Sequence, residues 1–87
     1  MEYEAGLLAD LRQVLDEIAP PDRDYLHGVR AGDDNGHSHL RSALVGSSLT
    51  IPVAGGKLIL GAWQQILFLD FDTRPRSRRL IVQIMGE

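Results

Sequence analysis

The sequence predicts a small α+β domain in which two helices precede four β-strands. Two observations carry that reading: apolar residues recur at three- and four-residue spacing in two stretches up to Val45, and strand patterns follow from Ser48 onward, beginning with the alternation of residues 48–53. A third sets the scale. With 87 residues at 44% apolar and no cysteine, the chain forms one domain at most, stabilised by its core, a bound metal or oligomerisation instead of disulfides.

The first helix is expected over residues 2–18, because Leu7, Leu11, Val14, Leu15 and Ile18 share one side. Pro20-Pro21 ends it. Residues 20–35 lack periodicity and are rich in turn formers and acids, so they read as an ordered loop with a short strand around residues 25–29. A second helix is expected over residues 36–45, with Asp34 or Asn35 as N-cap and Gly46 just past its end.

Leu49, Ile51 and Val53 then alternate with Ser48, Thr50 and Pro52. The Ala54-Gly55-Gly56 turn starts a return strand at Lys57. Residues 62–72 form a third strand, apolar on both faces in its middle and therefore central or covered by another subunit. After the turn at residues 73–76 a last strand runs over residues 78–85. Four strands and two helices leave too little protein to cover both faces of that central strand.

Charge is unevenly placed. Residues 1–36 hold nine acids against three arginines, and residues 37–87 hold three acids against six bases, within a net charge of -3. Neither half is the dense basic face with stacking aromatics that a nucleic-acid groove needs. The longest nearly apolar run, residues 66–69, is too short to span a bilayer, so neither nucleic acid nor membrane is an expected partner and a cytoplasmic setting is.

The polar chemistry is concentrated. His27, His37 and His39 lie in one stretch with Asp33, Asp34 and Asn35. Imidazole and carboxylate together suit zinc or another divalent metal. On a helix, residues two apart diverge by about 200°, so only one of His37 and His39 can join His27. The alternative is a polar loop capping the second helix, with histidines that only hydrogen-bond. A third reading places a phosphate on the free N–H groups at that helix start, beside the histidines. Trp63, Gln64 and Gln65 could stack on and hydrogen-bond a ligand, although a tryptophan in such a pattern is more often core. Arg74, Arg76, Arg78 and Arg79 could clamp phosphate or protect a strand edge.

Taken in order, Asp24-Tyr25-Leu26-His27, Gly32-Asp33-Asp34-Asn35-Gly36-His37-Ser38-His39-Leu40, Gly46-Ser47-Ser48-Leu49-Thr50-Ile51-Pro52-Val53 and Gly61-Ala62-Trp63-Gln64 resemble the YjbQ-type family, known as the secondary thiamine-phosphate synthase family. The resemblance covers nearly the whole chain. It implies a mostly antiparallel, sandwich-like sheet packed with two helices and completed by homotrimer assembly. It also implies a polar pocket lined by histidines and acids, in which we expect His27 and His39, with Asp34 or Asp10, to hold a divalent metal, magnesium or zinc, or a phosphate, and Tyr25, Asn35, His37, Trp63 and Gln64 to line a site for a small phosphorylated ligand.

The reaction implied is that of a transferase joining a pyrimidine diphosphate to a thiazole phosphate with release of pyrophosphate. Alternatives are a non-catalytic oligomeric module that binds metal or phosphate, and a metal-dependent phosphoester hydrolase. Residues 1–87 correspond to the C-terminal two-thirds of the family domain, and without the N-terminal third a weakened activity is expected.

Overall fold

The computed structural model describes residues 1–86. Its elements run α1 (Ala5–Ile18), α2 (Leu26–Ala31), α3 (Gly36–Val45), β1 (Val53–Ala54) and β2 (Lys57–Leu58). This is a small α+β arrangement of three helices and a two-stranded antiparallel sheet.

Helix α1 starts at Ala5 and not at Glu2 because the Glu4 carboxylate accepts from the backbone N–H groups of Gly6 at 2.7 Å and Leu7 at 2.8 Å. Those two bonds hold the Glu4 carboxyl below its ordinary value. The helix ends at Ile18 as expected; the Ala19 N–H closes the last turn on the Leu15 carbonyl at 2.8 Å, and Pro20 follows.

The short strand expected around residues 25–29 is instead helix α2. Gly32 explains the difference: at φ +66° it takes the left-handed cap conformation, and its N–H closes on the Gly28 carbonyl at 2.9 Å. Helix α3 has the expected bounds, with Asn35 at the N-cap position and the Gly46 N–H bonded to the Ser42 carbonyl at 2.8 Å.

Strands β1 and β2 pair Val53 with Leu58 and Ala54 with Lys57. Their two-residue turn needs positive φ at both positions, which Gly55 and Gly56 supply at 58° and 74°. Pro52, which has no N–H to donate, takes part only through its carbonyl, which accepts from the Ile59 N–H at 2.9 Å.

The strands expected over residues 62–72 and 78–85 do not form, so the four-stranded, sandwich-like sheet is corrected to the β1–β2 hairpin. Alternation supplies the side-chain pattern of a strand, but a ladder also needs a neighbour to bond with. Residues 80–85 meet none among the described residues, and Ile81, Val82 and Ile84 are 87%, 82% and 82% exposed. One pairing of that kind does occur: Met1 and Gln65 exchange backbone bonds, the Gln65 N–H to the Met1 carbonyl at 2.8 Å and the Met1 amine to the Gln65 carbonyl at 3.2 Å.

Little apolar surface is therefore hidden. The buried apolar side chains are Leu15 and Ala19. The radius of gyration is 16.3 Å, against about 12 Å for a compact chain of this length. What holds α1, α3 and the segment after the hairpin together is polar. Arg41, on α3, donates from Nε at 3.0 Å and from Nη2 at 2.9 Å to the Ala19 carbonyl, and from Nη2 to Asp16 at 2.8 Å. Its guanidinium also lies 5.9 Å from the centre of the Phe71 ring, and the Ser38 hydroxyl donates to the Phe71 carbonyl.

Arg41→Ala should destabilise the fold by about 2 kcal/mol, the scale for buried hydrogen bonds to a charged group, measured by urea unfolding at fixed protein concentration. Arg41→Lys should recover little, because an ammonium cannot grip one carbonyl through two fixed nitrogens while also reaching Asp16.

Candidate functional site

Helix α3 builds the site from a repeat of three and four residues. Asn35 at its cap, then Ser38, His39 and Ser42, fall on one side, because positions three and four apart on a helix are neighbours. With Phe71, Asp72, Arg76 and Arg78 they line a cleft of about 300 Å³. On the other side of His39, a cleft of about 390 Å³ is lined by Arg23, Tyr25, Leu26, His27, Gly36 and Leu40. His39 borders both.

The wall between the clefts is made by His27, Asn35 and His39. The His27 Nε2 lies 3.2 Å from the Asn35 side-chain oxygen, and the His27 and His39 rings meet edge to face with centres 4.7 Å apart and planes at 75°. Tyr25 is fixed from two directions: its hydroxyl donates to the Pro20 carbonyl at 2.7 Å and the Arg23 guanidinium lies 5.5 Å from its ring centre. Gly36 lets that ring approach α3, since a Cβ there would stand 2.8 Å from the Tyr25 Cβ.

His37 turns elsewhere, as helix geometry requires of a residue two positions from His39. It is buried and lines neither cleft. The single hydroxyl proton of Ser38 goes to the Phe71 carbonyl, so the His37 Nε2–H donates to the Ser38 oxygen, at 3.4 Å. Its Nδ1 is buried, with no hydrogen-bond partner among the described residues.

The other expected residues are dispersed. Asp10, Asp34, Trp63 and Gln64 line neither cleft. Trp63 is 74% exposed, and the Gln64 side-chain oxygen is engaged by the Gly61 N–H at 2.7 Å. Among the described residues no three His, Asp or Glu side chains gather as a metal set. Asp10 is carried on α1, away from both clefts, and His27 Nε2 is engaged by Asn35. Ser38, Ser42, Phe71 and Asp72 went unread as site residues. The two serines carry a signal, their four-residue spacing around His39; Phe71 and Asp72 carry none, because a chain reversal brings them to α3.

Arginines at the rim are held by carboxylates. Arg76 Nε lies 2.9 Å from Asp72, and Arg78 reaches both Asp70 and Asp72. The Asp72 N–H and then the Arg78 guanidinium hold the Asp70 carboxyl below its ordinary value. Burial pushes Asp72 up, but the bonds from Arg78 and from the Arg74 N–H, with the charge of Arg76, outweigh it and leave Asp72 lowered. Arg78 is raised by its bonds to Asp72 and then Asp70.

Comparison with known proteins adds a family. The family model described as UPF0047 protein YjbQ-like matches residues 1–87, and the chain belongs to that family. It is 44% identical over 84 residues to a UPF0047 protein of Archaeoglobus fulgidus, covering 97% of this chain and 64% of that protein. It is 43% identical over 86 residues to one of Methanothermobacter thermautotrophicus, covering 99% of this chain and 58% of that protein. The UPF0047 protein YugU of Bacillus subtilis is 36% identical over 77 residues, covering 88% of this chain and 55% of YugU. The chain thus spans about three-fifths of the length of the first two relatives.

These findings correct the expected reaction. The family is uncharacterised, and neither its description nor the relatives' names carry thiamine-phosphate synthesis or metal-dependent hydrolysis. Among the described residues no helix is long and apolar enough to cross a membrane.

The rim network should be acid-sensitive. Because the folded values of Asp70 and Asp72 lie below their unfolded ones, their stabilisation is present above the ordinary carboxylate range and is lost as pH falls through the lowered values. The Arg78 Nε–H signal in NMR should be sharp near neutral pH and broaden on that acidification. In Asp72→Asn it should already be broad at neutral pH; a sharp signal there would show that Asp72 does not hold the turn.

Proposed function

We propose that this chain forms part of a homotrimeric, cytoplasmic protein that binds a small phosphorylated ligand at the His39 clefts. The observation that carries the reading is the meeting of His39, Ser42, Arg76 and Arg78 around one cleft, in which the Ser38 hydroxyl is spent on the Phe71 carbonyl and Asp70 and Asp72 hold the rim arginines. Hydroxyl, imidazole and guanidinium groups are the donors that an oxyanion needs, and a planar guanidinium suits a phosphate through two nitrogens at once. Arg76 holds Asp72 through Nε, and among the described residues no bond engages its terminal nitrogens, which are then available to the ligand.

Assembly is supported by the surface. The chain exposes 7763 Å², roughly half as large again as the ~5,100 Å² expected of a folded monomer of this mass. An excess of that size falls in the range that stable oligomers bury between subunits. Mass measurement in solution should give three times 9.6 kDa; a lone monomer across the accessible concentration range would remove the trimer.

Pyrophosphate is the probe for the site. Calorimetry should detect its binding to the parent protein, with His39→Ala and Arg76→Ala each weakening it about fivefold, the loss of one good hydrogen bond. Absence of binding by the parent, or affinity unchanged in both variants, would rule the reading out.

A further inference from the structure

We propose that Asn35 is a positioning residue that sets the tautomer of His27, so that His27 offers a bare Nδ1 to whatever the cleft beside Tyr25 receives. The inference rests on the clefts being a ligand site and adds a division of labour within it: one neutral histidine held as an acceptor, so that the ligand must bring a hydrogen-bond donor to meet it.

The argument begins with what Asn35 does not do. It occupies the N-cap of α3, where an asparagine side chain ordinarily accepts from the helix's own free N–H groups, yet it makes no side-chain cap bond. Its oxygen lies instead 3.2 Å from His27 Nε2. An amide oxygen can only accept, so the proton of a neutral His27 ring sits on Nε2, and Nδ1 keeps its lone pair. The bond also joins the two clefts, because Asn35 lines the polar one and His27 the other.

The ring has a second support in His39, edge to face at 4.7 Å. Fixing both orientation and tautomer is what an outer partner does for a histidine that contacts a ligand. The preference for an acceptor at His27 distinguishes this half of the site from the donor-rich half around Arg76 and Arg78. A ligand spanning both would carry an oxyanion at one end and an N–H or O–H group at the other.

The experiment uses ¹⁵N-labelled protein without ligand, at a pH where histidine is neutral. In the parent, the His27 Nε2 shift should be that of a protonated ring nitrogen and the Nδ1 shift that of a bare one. In Asn35→Ala the separation between them should narrow as the tautomers average. Asn35→Asp, which retains an accepting oxygen, should restore the parent pattern. Helix content by circular dichroism should be the same in all three, as Asn35 contributes no cap bond. A parent His27 protonated on Nδ1, or shifts unchanged in Asn35→Ala, would overturn the role of Asn35. Since the parent spectrum alone can do so, the test survives a variant that does not fold. A parent that shows the expected tautomer but fails to bind pyrophosphate sinks the ligand reading and leaves the assignment of Asn35 in place.

Discussion

Arg41 is the group on which the arrangement of this chain depends. Three of its bonds converge on the C-terminal end of α1, where Ala19 and Asp16 present a carbonyl and a carboxylate, and its flat face meets Phe71. A helix C-terminus carries partial negative charge from its unpaired carbonyls, so a guanidinium there is favoured by the dipole as well as by direct bonds. In a chain whose buried apolar side chains are Leu15 and Ala19, one well-satisfied cation takes the place that a core would ordinarily fill. Its side chain is only 10% exposed while that of Asp16 is 52% exposed, so the contact with the carbonyl matters more than the screened ion pair.

The site inherits its geometry from that clamp. Arg41 and Ser38 both belong to α3 and both reach the stretch around Phe71, which brings Asp72, Arg76 and Arg78 against the helix that carries His39. The short helix α2 completes the wall, because its Gly32 cap turns the chain back and returns Asn35 to His27. The two histidines therefore meet through three local devices: a left-handed glycine, a cap residue whose side chain looks away from its own helix, and an arginine that anchors that helix from its middle.

Much of the local structure was legible in the chain. The bounds of α3, the end of α1 at Pro20 and the Gly55-Gly56 turn follow from caps, proline and positive φ, all of which act within a few residues. Helix α2 was misread because six residues are too few to display a period, and its signal was a single glycine at the far end. That only one of His37 and His39 can face His27 was legible too, since a helix sends residues two apart to different sides; that His37 is the one turned away was not, and the motif order had placed it at the site. Tyr25, His27, Asn35 and His39 line the two clefts, whereas Asp10, Asp34, Trp63 and Gln64 line neither, a division that the motif order does not reveal.

By itself the sequence determined the class of fold and the family, because periodicity, capping and motif order are properties of neighbours along the chain. Only the tertiary structure decided which of the candidate site residues meet, how the rim arginines are held, and that residues 62–72 and 78–85 carry the pattern of strands without the ladder. The physical reason is that alternation states which face a strand would bury, whereas the strand itself exists only when another backbone lies within hydrogen-bonding distance. That neighbour is a fact of space, and these segments have none within residues 1–86 beyond the single pairing of Gln65 with Met1.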